Sequence, residues 1–181
     1  MRKLLNSELG RKSIGQFRLS AKSPFVIVLD NVRSNYNVGS VFRTADAFLT
    51  ERIILCGITA KPPHREIQKT ALGATESVEW EYYENTTDAI TDLKNERFTI
   101  IAVEQTEGSV SLQNFIPQMG LKYALVFGHE VNGVSQEVID LSDVCIEIPQ
   151  FGTKHSFNIV VSAGIVLWEL NKSLTKKGRH K

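Results

Sequence analysis

The sequence predicts an α/β fold, with a largely parallel sheet and helices on both of its faces. Apolar runs that suit strands alternate along the chain with segments of helical periodicity, and this alternation is typical of parallel sheets. Most of these runs are continuously apolar, as at residues 25–29 and 123–127, which is the composition of strands buried on both faces. A length of 181 residues suits one domain with a sizeable core.

The strands are predicted where apolar residues run together over four to six positions. The run at 79–82 shows this pattern only weakly, whereas Gly128 and Pro149 mark clear ends for the last two strands. The predicted strands are at residues 25–29, 52–56, 79–82, 98–103, 123–127 and 144–148.

Helices are predicted in the intervals between the strands and at both ends of the chain. Pro62 and Pro63 interrupt the chain before one of them, and Asn85 or Thr86 is the expected cap of another. One or two short helices are expected within residues 2–20. The others are predicted at residues 37–48, 64–72, 86–94 and 135–141, and from about 157 to about 170.

The composition excludes several broad classes of protein. Hydrophobic residues make up 42% and charged residues 23% of the chain, which is typical of a folded domain and not of a disordered one. No apolar run approaches the ~20 residues that a membrane span requires, and the N-terminus lacks the apolar segment of a signal peptide. Cys56 and Cys145 lie far apart within apolar runs. They are predicted to be reduced core thiols, and we expect a cytoplasmic protein.

The small net charge of +1 conceals an uneven distribution of charge. Residues 1–22 contain six basic residues and one acidic residue, and residues 170–181 contain five basic residues and no acidic one. The segment between them therefore carries a net charge of −9. Basic extensions of this kind suit contact with a phosphate backbone, although they also serve simply to keep a protein soluble.

Several common catalytic and binding motifs are absent from the sequence. There is no G-x-G-x-x-G after the first strand, no phosphate loop, no C-x-x-C, no H-x-x-x-H and no G-x-S-x-G. The four histidines are scattered, so no metal site is predicted.

Three polar segments follow predicted strands, where α/β proteins bind their ligands. In the first, Asn37, Gly39 and Arg43 lie at the start of a helix, and Gly39 allows either a ligand or another backbone to approach. The alternative is a helix capped by Asn37, with a solvated Arg43. In the second, residues 127–134, Glu130 lies between two glycines and either orients an arginine or receives hydrogen bonds. The alternative there is an ordinary strand-to-helix turn.

The third segment leads from the last strand into the C-terminal helix. Pro149 stiffens it and Gly152 bends it, and it delivers Ser156 and Asn158 at the start of the helix. Small residues at 162–164 allow that helix to pack closely on a neighbour. The alternative is a core-packed helix with Ser156 as its cap.

Taken together and in this order, the three segments resemble the motifs of the SpoU (TrmH-type) branch of the SPOUT RNA methyltransferases. Residues 37–43 match N-x-G-x-x-x-R and are followed by Thr-Ala-Asp, and residues 127–133 match F-G-x-E-x-x-G. Residues 148–158 are similar to I-P-x-x-G-x-x-x-S-L-N, with Phe157 in place of the leucine. The resemblance covers roughly residues 24–170. It implies a basic N-terminal extension at 1–23, a methyltransferase domain at 24–170 and a basic tail at 171–181.

The resemblance also implies a fold, a reaction and partners. The fold would contain a deep trefoil knot near the C-terminus, and the protein would be a homodimer with its active sites near the interface. S-adenosylmethionine would be the methyl donor, without a metal, and the acceptor would be a ribose 2′-hydroxyl in tRNA or rRNA. The short extensions at both ends look similar to those of the members that act on tRNA, so tRNA is favoured.

Site residues are carried over from the matching motif positions. Arg43 stands where the family has its catalytic arginine, and Asn37, Glu130, Ser156 and Asn158 stand at the other positions tied to catalysis. An arginine is a poor base, because its intrinsic pKa exceeds ~12. We therefore expect Arg43 to grip a phosphate or hydroxyl and to stabilise negative charge, with Glu130 fixing its orientation. The residues that contact or flank the donor would be Gly128, Ile148, Phe157, Phe127, Pro149 and Glu104.

His129 and Val160 also depart from the residues that the family often has at their positions, and His129 is interpreted as a bystander. Three other hypotheses remain open beside a tRNA methyltransferase. They are an rRNA 2′-O-methyltransferase, a catalytically silent RNA-binding dimer of the same fold, and an α/β domain that binds another nucleotide. The intact Arg43, Glu130, Ser156 and Asn158 argue against the silent dimer, and the absence of a phosphate loop argues against the last.

Overall fold

The computed structural model describes residues 1–178, which contain a single sheet of parallel strands. The order across the sheet is β3-β2-β1-β6-β4-β7-β5, and every pair of neighbours is parallel. The strands are β1 (Ser23–Asp30), β2 (Thr50–Cys56), β3 (Glu79–Tyr83), β4 (Phe98–Val103), β5 (Val110–Ser111), β6 (Lys122–Phe127) and β7 (Val144–Glu147).

Helices connect the strands, and short 3-10 helices occur at Asn6–Glu8 and Leu112–Asn114. The α-helices are α1 (Ile14–Leu19), α2 (Asn35–Ala47), α3 (Arg65–Ala71), α4 (Ala74–Ser77), α5 (Thr86–Asn95), α6 (Gln136–Leu141) and α7 (Ile159–Gly178).

Helices cover both faces of the sheet, as the sequence predicted. Along β1, Ile27 and Leu29 belong to a buried cluster shared with α1, α2, α3 and α7. Val26 and Val28 point the other way, into a second cluster shared with α5 and α6. Because side chains alternate along a strand, a strand that is covered on both sides needs apolar residues at successive positions. The continuous apolar runs therefore have the physical cause that was expected.

Several predicted boundaries differ from the structure. The cap of α2 is Ser34, whose hydroxyl accepts from the N–H of Asn37, so Asn37 is not the cap. Asn85 occupies the N-cap position of α5, as one of the two predicted caps, although its side chain makes no capping bond. Strand β5 and helix α4 were not predicted, because segments of two and four residues are too short to show a period. Helix α7 continues past residue 170, since the polar residues there lack an apolar period but do not stop a helix.

The N-terminal extension is partly docked onto the domain. Phe17 of α1 is buried in the core, and the ammonium of Lys22 lies 3.6 Å from the centre of its ring. Arg18 donates a hydrogen bond to the carbonyl of Glu76, at 2.6 Å. At the other end of the chain, Arg179 and Lys181 of the predicted basic tail lie outside the described residues. Across residues 1–178, no helix combines the length and the apolar character needed to cross a membrane.

Both cysteines are free thiols. Cys56 is fully buried on β2, and this burial raises the pKa of its thiol to about 12. A thiol with so high a pKa is almost entirely protonated at neutral pH, so we infer that Cys56 is chemically inert in the folded protein. Cys145 on β7 is half-buried.

Gly39 lies where α2 and α3 cross, and the neighbour that it admits is a backbone and not a ligand. A methyl group built on Gly39 would overlap the carbonyl oxygen of Ile67 and the hydroxyl of Thr70. We expect Gly39→Ala to lower the free energy of unfolding by about 1–3 kcal/mol, because a packed contact must open. Urea denaturation measures this loss.

Gly15→Ala is the matched control for Gly39→Ala. Gly15 lies in α1, and no neighbouring atom comes within 4 Å of the added methyl group. Its replacement should be neutral or stabilise the protein by up to about 1 kcal/mol through helix propensity. Equal losses in the two variants would show that the packing of Gly39 is not the cause.

Candidate active site

A cavity of about 450 Å³ opens at the carboxyl ends of β4, β6 and β7. Small-molecule sites usually have volumes of about 300–1,000 Å³ and lie at this edge of a parallel sheet. Its walls are formed mainly by the loop after β6, the loop between β7 and α7, and the first residues after β4.

Most of the residues predicted from the family motifs line this cavity. From the predicted donor pocket these are Glu104, Phe127, Gly128, Ile148 and Phe157, and from the predicted catalytic group Glu130, Ser156 and Asn158. Pro149 was predicted to flank the donor pocket. It lines the larger cavity described below, which shares Ile148 with this one. Asn37 and Arg43 are also not among the lining residues.

The loop after β6 is tight, and its two glycines have structural reasons. His129 and Gly133 exchange backbone hydrogen bonds across it, and a side chain on Gly128 would overlap the backbone of Gly133. Gly133 has φ +68°, and a side chain there would overlap the carboxylate of Glu104. That carboxylate accepts from the N–H of Val134, at 3.0 Å, and so ties the loop to the end of β4.

His129 takes part in the same turn. Its Nδ1 accepts from the N–H of Val131 at 3.0 Å and from the N–H of Asn132 at 3.4 Å. The side chain thus stabilises the loop that carries Glu130, and it also lines the cavity. This contact gives the residue a structural role that its description as a bystander had not included.

The loop between β7 and α7 is fastened at its far end. The side-chain amide of Gln105 donates to the carbonyl of His155 at 2.7 Å, and the amide of Gln150 donates to the same oxygen at 3.4 Å. Asn158 ends the loop, and its side-chain oxygen accepts from the N–H of Val160 at 2.9 Å. Asn158 therefore caps α7, and the alternative with Ser156 as the cap is wrong.

A hydrogen-bond network joins the three predicted motifs. The carboxylate of Glu130 accepts from the side-chain amide of Asn37 at 2.9 Å. The oxygen of that amide accepts from the side chain of Asn158 at 3.2 Å. The same carboxylate also accepts from the backbone N–H groups of Arg33, at 3.0 Å, and Ser34, at 2.9 Å. Glu130 thus binds the N-terminus of α2 and links it, through Asn37, to the start of α7.

These contacts shift the pKa of Glu130. Burial alone would raise it, but the hydrogen bonds from Arg33, Asn37 and Ser34 together outweigh burial, and the pKa falls below its ordinary value. The carboxylate is therefore ionised at neutral pH. The expectation that Glu130 orients Arg43 is wrong, because its bonds are directed to the first turn of α2 and not to the arginine.

Arg43 lies in the third turn of α2 and is exposed. It borders a second cavity of about 1290 Å³, formed between α2 and α7. Ile148 lines both cavities, so the cavity that Arg43 borders adjoins the smaller one there. In the described part of the chain, no carboxylate or other acceptor binds the guanidinium of Arg43, and the group is available for an external anion.

The larger cavity has a mixed lining. Trp168 is 63% exposed beside it, and Glu169 and Lys172 form an ion pair at 2.9 Å. Arg11 also borders it, so the basic N-terminal extension comes close to Arg43. The charge pattern had indicated this extension as a candidate binding element, but nothing in the sequence placed it beside α2.

Gln105, which lines the smaller cavity, was missed altogether by the sequence analysis, since a single glutamine after a strand carries no signal.

The chain is similar to a known protein family and to curated members of it. The profile of the SpoU rRNA Methylase family matches residues 24–168. A tRNA (guanosine(18)-2′-O)-methyltransferase of Borreliella burgdorferi is 29% identical over 149 residues, which are 82% of this chain and 66% of the relative. The 23S rRNA (guanosine-2′-O-)-methyltransferase RlmB of Neisseria meningitidis serogroup B is 29% identical over 157 residues, which are 87% of this chain and 62% of the relative.

A solved structure shows the same arrangement of strands and helices. The AdoMet-bound rRNA methyltransferase from Sinorhizobium meliloti superposes with a TM-score of 0.78 at 28% identity, over 85% of this chain and 58% of that one. The chain thus spans slightly under two thirds of the length of the two curated relatives.

Proposed function

The chain belongs to the SpoU rRNA methylase family, and from this premise we propose that it transfers a methyl group from S-adenosylmethionine to a ribose 2′-hydroxyl in RNA. One observation carries the proposal. The network of Asn37, Glu130 and Asn158 joins all three family motifs at one edge of the sheet, beside a cavity of suitable size. The names of the curated relatives, which act on guanosine 2′-oxygens in tRNA or 23S rRNA, support the same reaction.

The residues around the smaller cavity fit S-adenosylmethionine. Ile148, Phe127 and Phe157 provide an apolar surface for an adenine ring, and the carboxylate of Glu104 provides an acceptor for ribose hydroxyls. The related structure from Sinorhizobium meliloti contains AdoMet. When it is bound, this cofactor supplies an electrophilic methyl group. The residues proposed to hold it are Glu104, Phe127, Gly128, Ile148 and Phe157, with Pro149 behind Ile148.

The residues of the chain contribute mainly position and charge. The attacking hydroxyl must be held in line with the methyl group, which requires rigid loops on both sides of the cavity. Glu130 and Asn37 fasten the start of α2 to the start of α7, and thereby fix the helix that carries Arg43 relative to the loop that carries Ser156. We assign to Ser156 a hydrogen bond to the acceptor ribose. We assign to Arg43 the grip on an RNA phosphate and the stabilisation of negative charge on the attacking oxygen.

The acceptor is proposed to be tRNA in preference to rRNA, and the protein to be a homodimer. The tRNA-modifying relative from Borreliella burgdorferi supports tRNA, and the basic residues clustered within residues 1–22 support an RNA partner. The open groove between α2 and α7 supports the dimer, because Trp168, Val160 and Gly164 line it next to Arg43. A second copy would cover these residues and complete the site. The free cysteines support a cytoplasmic location.

The test is transfer of labelled methyl from S-adenosylmethionine to bulk tRNA and, separately, to rRNA, followed by nuclease digestion. We expect a 2′-O-methylated nucleotide in the tRNA digest. If the 2′-O-methylated nucleotide is found only in the rRNA digest, the substrate is rRNA and not tRNA, and the proposed reaction is unchanged. Cofactor binding by calorimetry without transfer to either RNA would leave the proposed bulk substrates unsupported. No transfer and no cofactor binding would favour a silent RNA-binding protein.

The N-terminal extension is expected to contribute to RNA binding through a few of its charges. Removal of residues 1–22 would also remove Phe17 from the core, so charge-neutral variants are the better test. We expect combined replacement of Lys3, Arg11 and Lys12 by glutamine to weaken RNA binding. The slope of log Kd against log salt concentration should fall by about 2, if each contacts a phosphate of a single strand.

The matched control for this variant is a triple replacement at the opposite edge of the sheet. Lys94, Arg97 and Lys122 lie near the amino ends of β4 and β6, and their replacement by glutamine should leave the slope unchanged. Filter binding of bulk tRNA at several salt concentrations measures both slopes. Equal slopes in the two triple variants would exclude a specific role for the N-terminal extension.

A further inference from the structure

We propose that Phe151 is a substrate-binding residue that stacks on the base of the nucleotide whose ribose is methylated. This inference rests on the proposed function, since it assigns a contact to the same RNA substrate. It also implies that the target nucleotide is unpaired when it binds.

Phe151 is exposed to a degree that is unusual for a phenylalanine. Its side chain is 98% exposed, the largest fraction for any aromatic residue in residues 1–178. Within that part of the chain, no ring or cation packs on its ring. Its exposure does not stabilise the isolated fold, and this leaves its ring open to an external partner.

Phe151 directly follows residues that line the two cavities. Pro149, two residues before it, borders the larger cavity that contains Arg43. Gln150, immediately before it, borders the smaller cavity, and Ile148 borders both. A substrate whose ribose reaches the smaller cavity, and whose phosphate meets Arg43, must pass over this junction. The base attached to that ribose then lies near the tip of the loop.

Hydrogen bonds restrain the loop on both sides of Phe151. Gln105 and Gln150 both donate to the carbonyl of His155, at 2.7 and 3.4 Å, and Asn158 caps α7 just beyond. A fastened loop loses less conformational entropy when a ligand binds its tip than a free loop would. Phe151 is thus presented from a restrained segment and can act as a platform.

An unpaired nucleobase is the occupant that this chemistry favours. Sequence-specific RNA recognition depends largely on unpaired bases that stack on aromatic side chains, and such stacking is a substantial share of the affinity for each base. Two of the cations that line the neighbouring cavity, Arg11 and Arg43, supply the complementary charge for the phosphates on either side of that base.

The experiment compares Phe151→Leu with Phe151→Trp in methyl transfer to bulk tRNA and to rRNA. Leucine keeps an apolar side chain but removes the π-face, so we expect the KM for RNA, and the Kd from filter binding, to rise about 10-fold. Tryptophan should keep both values close to those of the wild type. The Kd for S-adenosylmethionine should not change in either variant.

Tyr82→Leu is the matched control. Tyr82 is an exposed aromatic residue on β3, five strand positions from β7, or about 24 Å at roughly 4.8 Å per strand. Its replacement should leave the KM for RNA unchanged.

Three results would overturn the inference. If the wild type is active and the KM for RNA is unchanged in Phe151→Leu, the proposed role of Phe151 is rejected and the proposed function of the protein stands. A change in the mass of Phe151→Leu by light scattering would assign the side chain to contact between copies of the chain. No transfer and no RNA binding by the wild type would reject the proposed function, and this inference with it.

Discussion

Arg43→Ala is expected to lower kcat for methyl transfer about 1,000-fold, while the Kd for S-adenosylmethionine stays within a few-fold of the wild type. The physical reason is that the guanidinium has no partner within the described part of the chain and borders a cavity separate from the proposed donor pocket. Its charge is therefore available for RNA, and a donor of this kind is worth about 10²–10³ in rate when it faces developing negative charge. Single-turnover kinetics and calorimetry measure the two quantities.

Two further variants sharpen this test. Arg43→Lys keeps the charge but loses the forked geometry, so an intermediate rate is expected if Arg43 grips a phosphate with two hydrogen bonds. Arg97→Ala removes an exposed arginine at the opposite edge of the sheet and should have no effect. Loss of cofactor binding in Arg43→Ala would contradict the separation of the two cavities and would place the arginine in the donor pocket.

Asn158→Asp is expected to lower kcat about 100-fold without a loss of stability. The aspartate keeps the oxygen that accepts from the N–H of Val160, and a carboxylate at a helix N-terminus caps at least as well as an amide. It has no N–H, so the bond to the side-chain oxygen of Asn37 is lost and repulsion replaces it. Asn37 cannot turn its amide around, because its oxygen would then face Glu130. A displacement of the loop by about 1 Å is enough to lower kcat by this factor.

Asn158→Ala separates the two roles of this residue. It removes the cap as well as the network, so it should lose about 1 kcal/mol of stability in addition to activity. Thermal unfolding and the KM for RNA, measured beside kcat, distinguish the variants. If Asn158→Asp retains full activity while Asn158→Ala does not, the contribution of Asn158 is the helix cap, and the network has no part in catalysis.

Local patterns predicted most of the fold. Apolar runs identified five strands and a weaker pattern at 79–82 indicated a sixth, and periodic segments identified the longer helices, because burial on one or both faces leaves a pattern in the sequence itself. The same reasoning missed β5 and α4 and ended α7 too early, since these features depend on packing or on polar helical turns without a period. The knot that the family resemblance implies remains a prediction.

The resemblance to the family also selected the residues of the site, yet it did not show what they touch. Glu130 was expected to orient Arg43, whereas its carboxylate accepts from the backbone just before α2 and from Asn37 in its first turn. Gly39 was left between two interpretations until the carbonyl of Ile67 proved to be its neighbour. Phe17 was counted within a basic extension, although its side chain lies in the core.

The sequence by itself determined the α/β class and the order of the three motifs, because each of these depends on segments of a few residues. The candidate site residues came from the resemblance of those motifs to the family, and their roles stay a prediction. Only the tertiary structure decided which residues the site residues bond to. The bonds that matter most join residues 93 and 121 positions apart, Asn37 to Glu130 and Asn37 to Asn158. Such contacts follow from the strand order, which places the ends of β1, β6 and β7 at one edge. The residues of a short segment do not specify which distant segment it will contact. The sequence therefore could not show that Glu130 makes no hydrogen bond to Arg43, and only the fold showed this.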